Sequence, residues 1–177
     1  MFSKLLPVIL KEEGGYVNDP ADSGGATNRG VTQNTYNLFR DRLNQDRRHV
    51  RYLTIDETEK IYEGYWTDSR ADRLPSGLAL MHFDFAVNAG FRRAALTLQE
   101  VLEVEADGII GPKTLAAAVE KNSADTIRKY ASSRKDFYER LAKRRPKDRK
   151  FLKGWLLRVD RIEAKALDAH RRAASGS

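Results

Sequence analysis

Residues 12–32 gather more potential chemistry than any other stretch of the chain. Glu12 and Glu13 close an apolar helical pattern, Gly14-Gly15 stops it, and Tyr16, Asn18, Asp19, Asp22, Gly24-Gly25 and Thr27 follow. A carboxyl at the end of an apolar stripe loses solvent, and desolvation disfavours the charged form of a carboxyl. Such a group keeps a proton to donate to a leaving oxygen, while an aspartate on an adjoining polar loop stays ionised. Glycosidic cleavage asks for that pairing: a protonated acid at the leaving oxygen, and a second carboxylate or a held water to complete the displacement. The same residues also read as plain structure, with Glu13 a solvated helix-end acid and Asn-Asp-Pro and Asp-Ser-Gly-Gly as turn formers. Pattern alone leaves both readings open.

The elements that must position these groups are mostly helices. Phe2, Leu5, Leu6 and Ile9 repeat at helical spacing and predict an amphipathic helix over residues 3–13. At about 100° per residue, Glu13 falls about 30° from the centre of its apolar stripe and Glu12 about 70°, which favours Glu13 as the inward acid. Residues 16–32 are turn-rich, with a short hairpin expected at 26–32, where Gly24, Gly25 and Gly30 permit positive φ. A helix is expected near 33–44, then a basic polar loop over 45–53. Thr54-x-x-Glu57 forms a capping box for a helix running to about Asp68. A turn at Leu74–Gly77 precedes an apolar helix from Leu78 to Asn88, ended by Gly90. Residues 92–103 present Ala95, Leu98, Val101 and Leu102 as an inward face, and Pro112 opens the next helix. Helices near 124–143 and 148–172 follow, with 173–177 as a frayed tail. The fold class expected is mainly α, with a small irregular or β-hairpin lobe near 16–32 and a C-terminal helical bundle.

At 177 residues the chain makes one compact domain or two small ones, and 41% hydrophobic residues mark it as ordinary globular protein. It has no cysteine, and His49, His82 and His170 are far apart, so neither a metal site nor a cofactor is expected. The apolar run Leu5–Leu10 is too short for a signal-peptide core or a membrane span. That predicts residence in the host cytoplasm until a pore releases the protein to the wall. The net charge of +7 favours a polyanionic partner. Basic residues spread over several helices, with acids interleaved and no recognition helix, argue against nucleic acid. The basic run from Arg140 to Lys153 reads as a solvated face, or as an attraction to an anionic envelope surface. A monomer is expected.

Glu-Gly-Gly-Tyr-x-Asn-Asp-Pro-x-Asp-x-Gly-Gly-x-Thr-x-x-Gly-Val-Thr, over residues 13–32, resembles the signature of glycoside hydrolase family 108. These are phage and bacterial N-acetylmuramidases with a lysozyme-like helical fold. The resemblance implies that Glu13 is the catalytic acid. The wider phage-lysozyme spacing places the second acid on Asp22, with Asp19 as its rival, and leaves Thr27 one residue short of the threonine position. The second half resembles the companion helical peptidoglycan-binding domain, through Asp84-Phe85-Ala86-Val87-Asn88-Ala89-Gly90, Leu98-Gln99, the Asp107–Leu115 turn and helix start, and Gly154–Val159. The organisation implied is a muramidase domain over 1–90 and a peptidoglycan-binding domain over 91–177, closely packed on the first. The activity implied is an endolysin that cuts the β-1,4 bond between N-acetylmuramic acid and N-acetylglucosamine in glycan strands. The alternative is a non-catalytic wall-binding or structural module.

Tyr16 and Asn18, just after the first Gly-Gly pair, are expected at the rim of a sugar-binding cleft. Tyr65, in the aromatic group Tyr62-Tyr65-Trp66, is a candidate for stacking on a sugar face, against core packing as the plainer role. Asn88 is a substrate-binding amide or, by preference, a helix cap. His82 reads as a satisfied core histidine.

Overall fold

The apolar spacing at the N-terminus folds as α1 (Phe2–Glu13), with Leu6 and Ile9 buried, in a computed structural model that describes residues 2–18 and 26–175. The chain divides into two units, Met1–Gly64 and Tyr65–Ser177. In the first, strands β1 (Thr27–Asn28) and β2 (Val31–Thr32) pair antiparallel, Thr27 opposite Thr32 and Asn28 opposite Val31. Arg29 and Gly30 turn between them with φ of 49° and 74°. Two positive φ values give the turn whose twist matches that of paired strands. Arg29 is an uncommon residue for such a position and is held there. Its guanidinium donates to the Leu53 carbonyl at 3.0 Å, and its own carbonyl accepts from the Tyr62 hydroxyl at 2.8 Å.

Helix α2 (Gln33–Arg42) is capped by Thr32, whose hydroxyl oxygen accepts from the Thr35 N–H at 3.1 Å. It stops short of residue 44 because Asn44 turns left-handed at φ 52°. The loop after it carries a 3-10 turn at Val50–Tyr52, pinned by Gln33, which donates to the Arg48 carbonyl at 2.9 Å and accepts from the Val50 N–H at 2.7 Å. The capping box is in place at the start of α3 (Ile55–Asp68): the Thr54 N–H donates to Glu57 at 3.0 Å and the Glu57 N–H donates to the Thr54 hydroxyl at 3.2 Å. Burial pushes the Glu57 carboxyl up, but the Thr54 backbone, Tyr36, Arg48 and the Thr54 hydroxyl together outweigh it and hold the group at about 2.

The second unit is built around α4 (Ser76–Ala89), buried from Gly77 to Ala86. The helix begins before Leu78, so Gly77 lies within it and not in the expected turn. A Cβ on Gly77 would sit 2.6 Å from Ile127 and 2.8 Å from the Ala166 carbonyl, so only glycine allows this approach. Around α4 stand α5 (Phe91–Leu102), α6 (Pro112–Glu120, with proline in its first turn), α7 (Ala124–Arg144) and α8 (Arg149–Ser175). On α5 the buried face is Ala94, Ala95, Thr97, Leu98, Gln99 and Leu102, whereas Val101 is half-exposed. The expected frayed tail is helical through Ser175.

Three side chains tie this bundle together. Asp84 is fully buried on α4 and accepts from Arg134 of α7 at 2.6 Å and from Arg158 of α8 at 2.8 and 3.0 Å. Arg134 also donates to the Met81 carbonyl and lies over the Phe85 ring. His82 is the core histidine that the sequence suggests. Its Nε2 lies 2.9 Å from the Ser69 carbonyl, which can only accept, so that nitrogen carries the proton of the neutral ring; Nδ1 faces the Tyr130 hydroxyl at 3.1 Å.

Removing one partner of a buried ion pair strands the other charge, at a cost of about 3–5 kcal/mol. Arg134→Met is expected to lose that much in urea denaturation, and replacing Asp84, Arg134 and Arg158 together by apolar residues much less. Burial, with the nearby Arg134 charge, lowers His82 from 6.5 to about 4 against the opposing Ser69 carbonyl. The unfolded chain therefore binds a proton that the folded chain refuses. The stabilisation is whole above pH 6.5 and lost as pH falls through about 4, a swing of about 3 kcal/mol. Melting curves between pH 7 and 4 are expected to show it, and His82→Gln to flatten the slope.

Candidate active site

Helix α1 delivers Glu13 at its last residue, half-buried. Gly14 comes next at φ 69°, the left-handed position that ends helices. The chain then runs to Val17, whose N–H donates to the Thr27 carbonyl at 2.9 Å while the Thr27 N–H donates back at 2.8 Å. Val17 thus joins the outer edge of β1, and the hairpin is fastened to the segment that leaves α1. Asn28, buried behind it, donates to the Val50 carbonyl at 3.1 Å. The hairpin is held on both sides.

This fastening brings the turn glycine onto the acid. A Cβ on Gly30 would lie 2.5 Å from Glu13 Oε2 and 2.6 Å from the Tyr62 hydroxyl oxygen. The carboxylate and the phenol therefore share one small space, no farther apart than the sum of those two distances. Gly30 supplies both the positive φ expected of it and the room that the carboxyl occupies. Neither Gly30 nor Tyr62 stands out as a site residue in the sequence, because Tyr62 comes 49 positions after Glu13 and reads as one ring of an aromatic group.

Of the other sequence candidates, Asp22 and its rival Asp19 lie outside the described residues. Tyr16 is 37% exposed, and its ring is flanked by the Arg51 guanidinium at 5.4 Å and by His49 at 6.0 Å. Asn18 is exposed and Thr27 half-buried, with both backbone groups of Thr27 bonded to Val17. Tyr65 and Asn88 belong to the second unit. There Tyr65 packs edge-on to Phe91 at 5.7 Å. Asn88 is no helix cap: it stands inside α4, Gly90 ends that helix through its N–H to the Ala86 carbonyl, and the Asn88 side chain accepts from the Tyr138 hydroxyl. Among the described residues no group of three or more His, Asp and Glu side chains could hold a metal ion, and no helix is long and apolar enough to cross a membrane.

Residues 6–90 match the family described as "Glycosyl hydrolase 108", and residues 93–160 match the family described as "Predicted Peptidoglycan domain". Among solved structures the chain is similar to "Structure of Brucella abortus SagA". The two are 34% identical with a TM-score of 0.81, over 96% of this chain and 95% of that one. No curated protein matches. The mainly α, lysozyme-like fold expected from the sequence is the fold of the chain.

Gly14 and Gly30 both adopt positive φ, but a Cβ at Gly14 meets nothing within 4 Å. Gly14→Ala is expected to cost only the left-handed strain, about 1–2 kcal/mol. Gly30→Ala should cost clearly more in urea denaturation, because Glu13 or Tyr62 must also move. Equal losses in the two variants would mean that the carboxyl does not rest against the turn.

Proposed function

Because the chain belongs to the glycosyl hydrolase 108 family and carries a peptidoglycan domain, it is a glycoside hydrolase acting on peptidoglycan, and we propose that it is a muramidase of the endolysin kind. The bond cut is the β-1,4 link from N-acetylmuramic acid to N-acetylglucosamine. The observation that carries this reading is the placement of Glu13, half-buried at the end of an amphipathic helix and against the hairpin turn, within the segment matched to the hydrolase family.

In this reading the Glu13 carboxyl gives its proton to the glycosidic oxygen as the bond to the anomeric carbon breaks. Asp22 positions water or stabilises the positive charge that develops on the sugar ring. Water adds its oxygen to the anomeric carbon and returns a proton, so that Glu13 regains its starting form. Thr27 lines the same lobe. Tyr16 and Asn18 contact the sugar chain at the cleft rim, and Tyr65 and Asn88, in the second unit, are further candidates for contact with the substrate. Residues 1–90 carry the hydrolysis and 91–177 hold the wall, in a monomer that reaches its substrate on release from the host cytoplasm.

Removing a general acid typically costs about 10²–10⁴-fold in rate. Glu13→Gln is expected to lose wall lysis by about that factor, with circular dichroism and melting unchanged. Full lysis by a folded Glu13→Gln protein would end the proposal. Mass spectrometry of the digest is expected to find muropeptides with reducing N-acetylmuramic acid ends. Reducing N-acetylglucosamine ends would mean a different bond, and binding to walls without any new reducing end would mean a non-catalytic module.

A further inference from the structure

We propose that a cleft in the second unit binds the acidic stem peptides of peptidoglycan through four arginines and an aromatic wall, an inference that rests on the wall-hydrolase reading above. The cleft measures about 740 Å³, and its lining includes Arg92, Arg93, Arg144 and Arg145 with no acidic residue. That size falls within the range of about 300–1,000 Å³ typical of pockets for small ligands. Two of the arginines come from the start of α5 and two from the end of α7, so tertiary packing, and not a local charge run, gathers them. Of the basic run that begins at Arg140, only Arg144 and Arg145 enter it.

The charge here is only weakly compensated, by the Asp107 carboxylate acting on Arg92 without an ion pair. The buried and half-buried arginines at two other places have carboxylate partners: Arg40 and Arg48 hold Glu57, and Arg134 and Arg158 hold Asp84. Among the described residues no carboxylate forms an ion pair with the four cleft arginines. A second cleft in the same unit shows the contrast, since Glu100, Glu103 and Glu120 line it beside Lys121 and Lys129, and Lys121 is paired to Glu103 at 2.6 Å. Four arginines line one concavity with no acid among the lining residues and Asp107 acting on Arg92 of the four, so the cleft calls for an anion from outside. Guanidinium forks match carboxylates in a bidentate way.

The wall of the cleft is aromatic and rigid. Trp155 stacks on Tyr138 at 5.2 Å, and Phe137 lies under the Arg93 guanidinium at 5.3 Å. The Tyr138 hydroxyl donates to the Asn88 carbonyl oxygen, which leaves the Asn88 amide N–H groups as further donors. In peptidoglycan the lactyl acid of the sugar is consumed in the amide link to the peptide, so the anionic groups reside on the stem peptide and the glycan is neutral. Arginine forks for carboxylates, beside a flat apolar wall for methyl and methylene groups, fit an acidic peptide of a few residues. Most of the lining also falls within residues 93–160, the segment matched to the peptidoglycan domain.

The test is calorimetric titration of the full-length protein with synthetic alanyl-γ-glutamyl-diaminopimelate, and with the same peptide amidated at its carboxyls. The acidic peptide is expected to bind and the amidated one not to. Arg93→Gln and Arg144→Gln are each expected to weaken binding about tenfold, the loss of one charge-assisted hydrogen bond, while hydrolysis of glycan chains stripped of peptide stays as in the wild type. Equal binding of the amidated peptide overturns the inference without recourse to any variant. So does unchanged affinity in folded arginine variants, or binding to phosphatidylglycerol–phosphatidylcholine vesicles with none to the peptide. If the wild type binds the acidic peptide but releases no reducing ends from glycan, the peptide site stands and the muramidase reading alone fails.

Discussion

The buried carboxylate of Asp84 is the constraint on which the second unit depends. An uncompensated charge at zero exposure would cost several kcal/mol, a large part of the stability of an ordinary domain. Arg134 and Arg158 must therefore both point inward, and this fixes the rotation of α7 and α8 about their axes. Helix geometry carries the constraint outward. Asn88 stands four residues after Asp84, Tyr138 four after Arg134, and Trp155 three before Arg158, so each lies on the same helix face about one turn away. The hydrogen bond between Tyr138 and Asn88 and the stacking of Trp155 on Tyr138 form the next layer above the charge triad. The arginine-lined cleft opens on that layer.

The first unit solves a different problem. Its hairpin has two residues per strand, too short to be stable alone, and hydrogen bonds from its backbone and side chains tie it to other parts of the unit. Tyr62 takes the Arg29 carbonyl, Arg29 takes the Leu53 carbonyl, Asn28 takes the Val50 carbonyl, and Val17 pairs with Thr27. These bonds set the turn at a fixed place, and the missing side chain of Gly30 admits the Glu13 carboxyl. The Glu13 carboxyl is thus placed by an arrangement of polar contacts around it, and the proposed role of proton donor would require such positioning.

Some arginines are bound to carboxylates, and those gathered at the cleft are not. Those bound to carboxylates are structural: they hold a helix start at Glu57 and a helix bundle at Asp84. Those at the cleft have no such partner among the described residues and give the net positive charge of the chain a direction. Whole-chain charge indicates a polyanion, but only the sorting of paired from unpaired guanidiniums indicates where on the surface one would be held.

Local physics was legible in the sequence. The helical spacing of Leu6 and Ile9, the capping box at Thr54 and Glu57, the proline that opens α6 and the glycine that ends α4 each depend on residues within a turn or two of one another. The motif at residues 13–32 identified the family and singled out Glu13 for the same reason, since its residues are contiguous. The helix start before Gly77 was set by packing and the end before Asn44 by a single left-handed residue, while the extension of α8 to Ser175 runs through exposed residues. Tertiary structure alone decided that Tyr62 meets the Glu13 site, that Asn88 bonds Tyr138 and does not cap α4, and that arginines about 50 positions apart share a cleft. Contacts between distant segments depend on which buried polar groups can satisfy one another, and one-dimensional spacing carries no record of that.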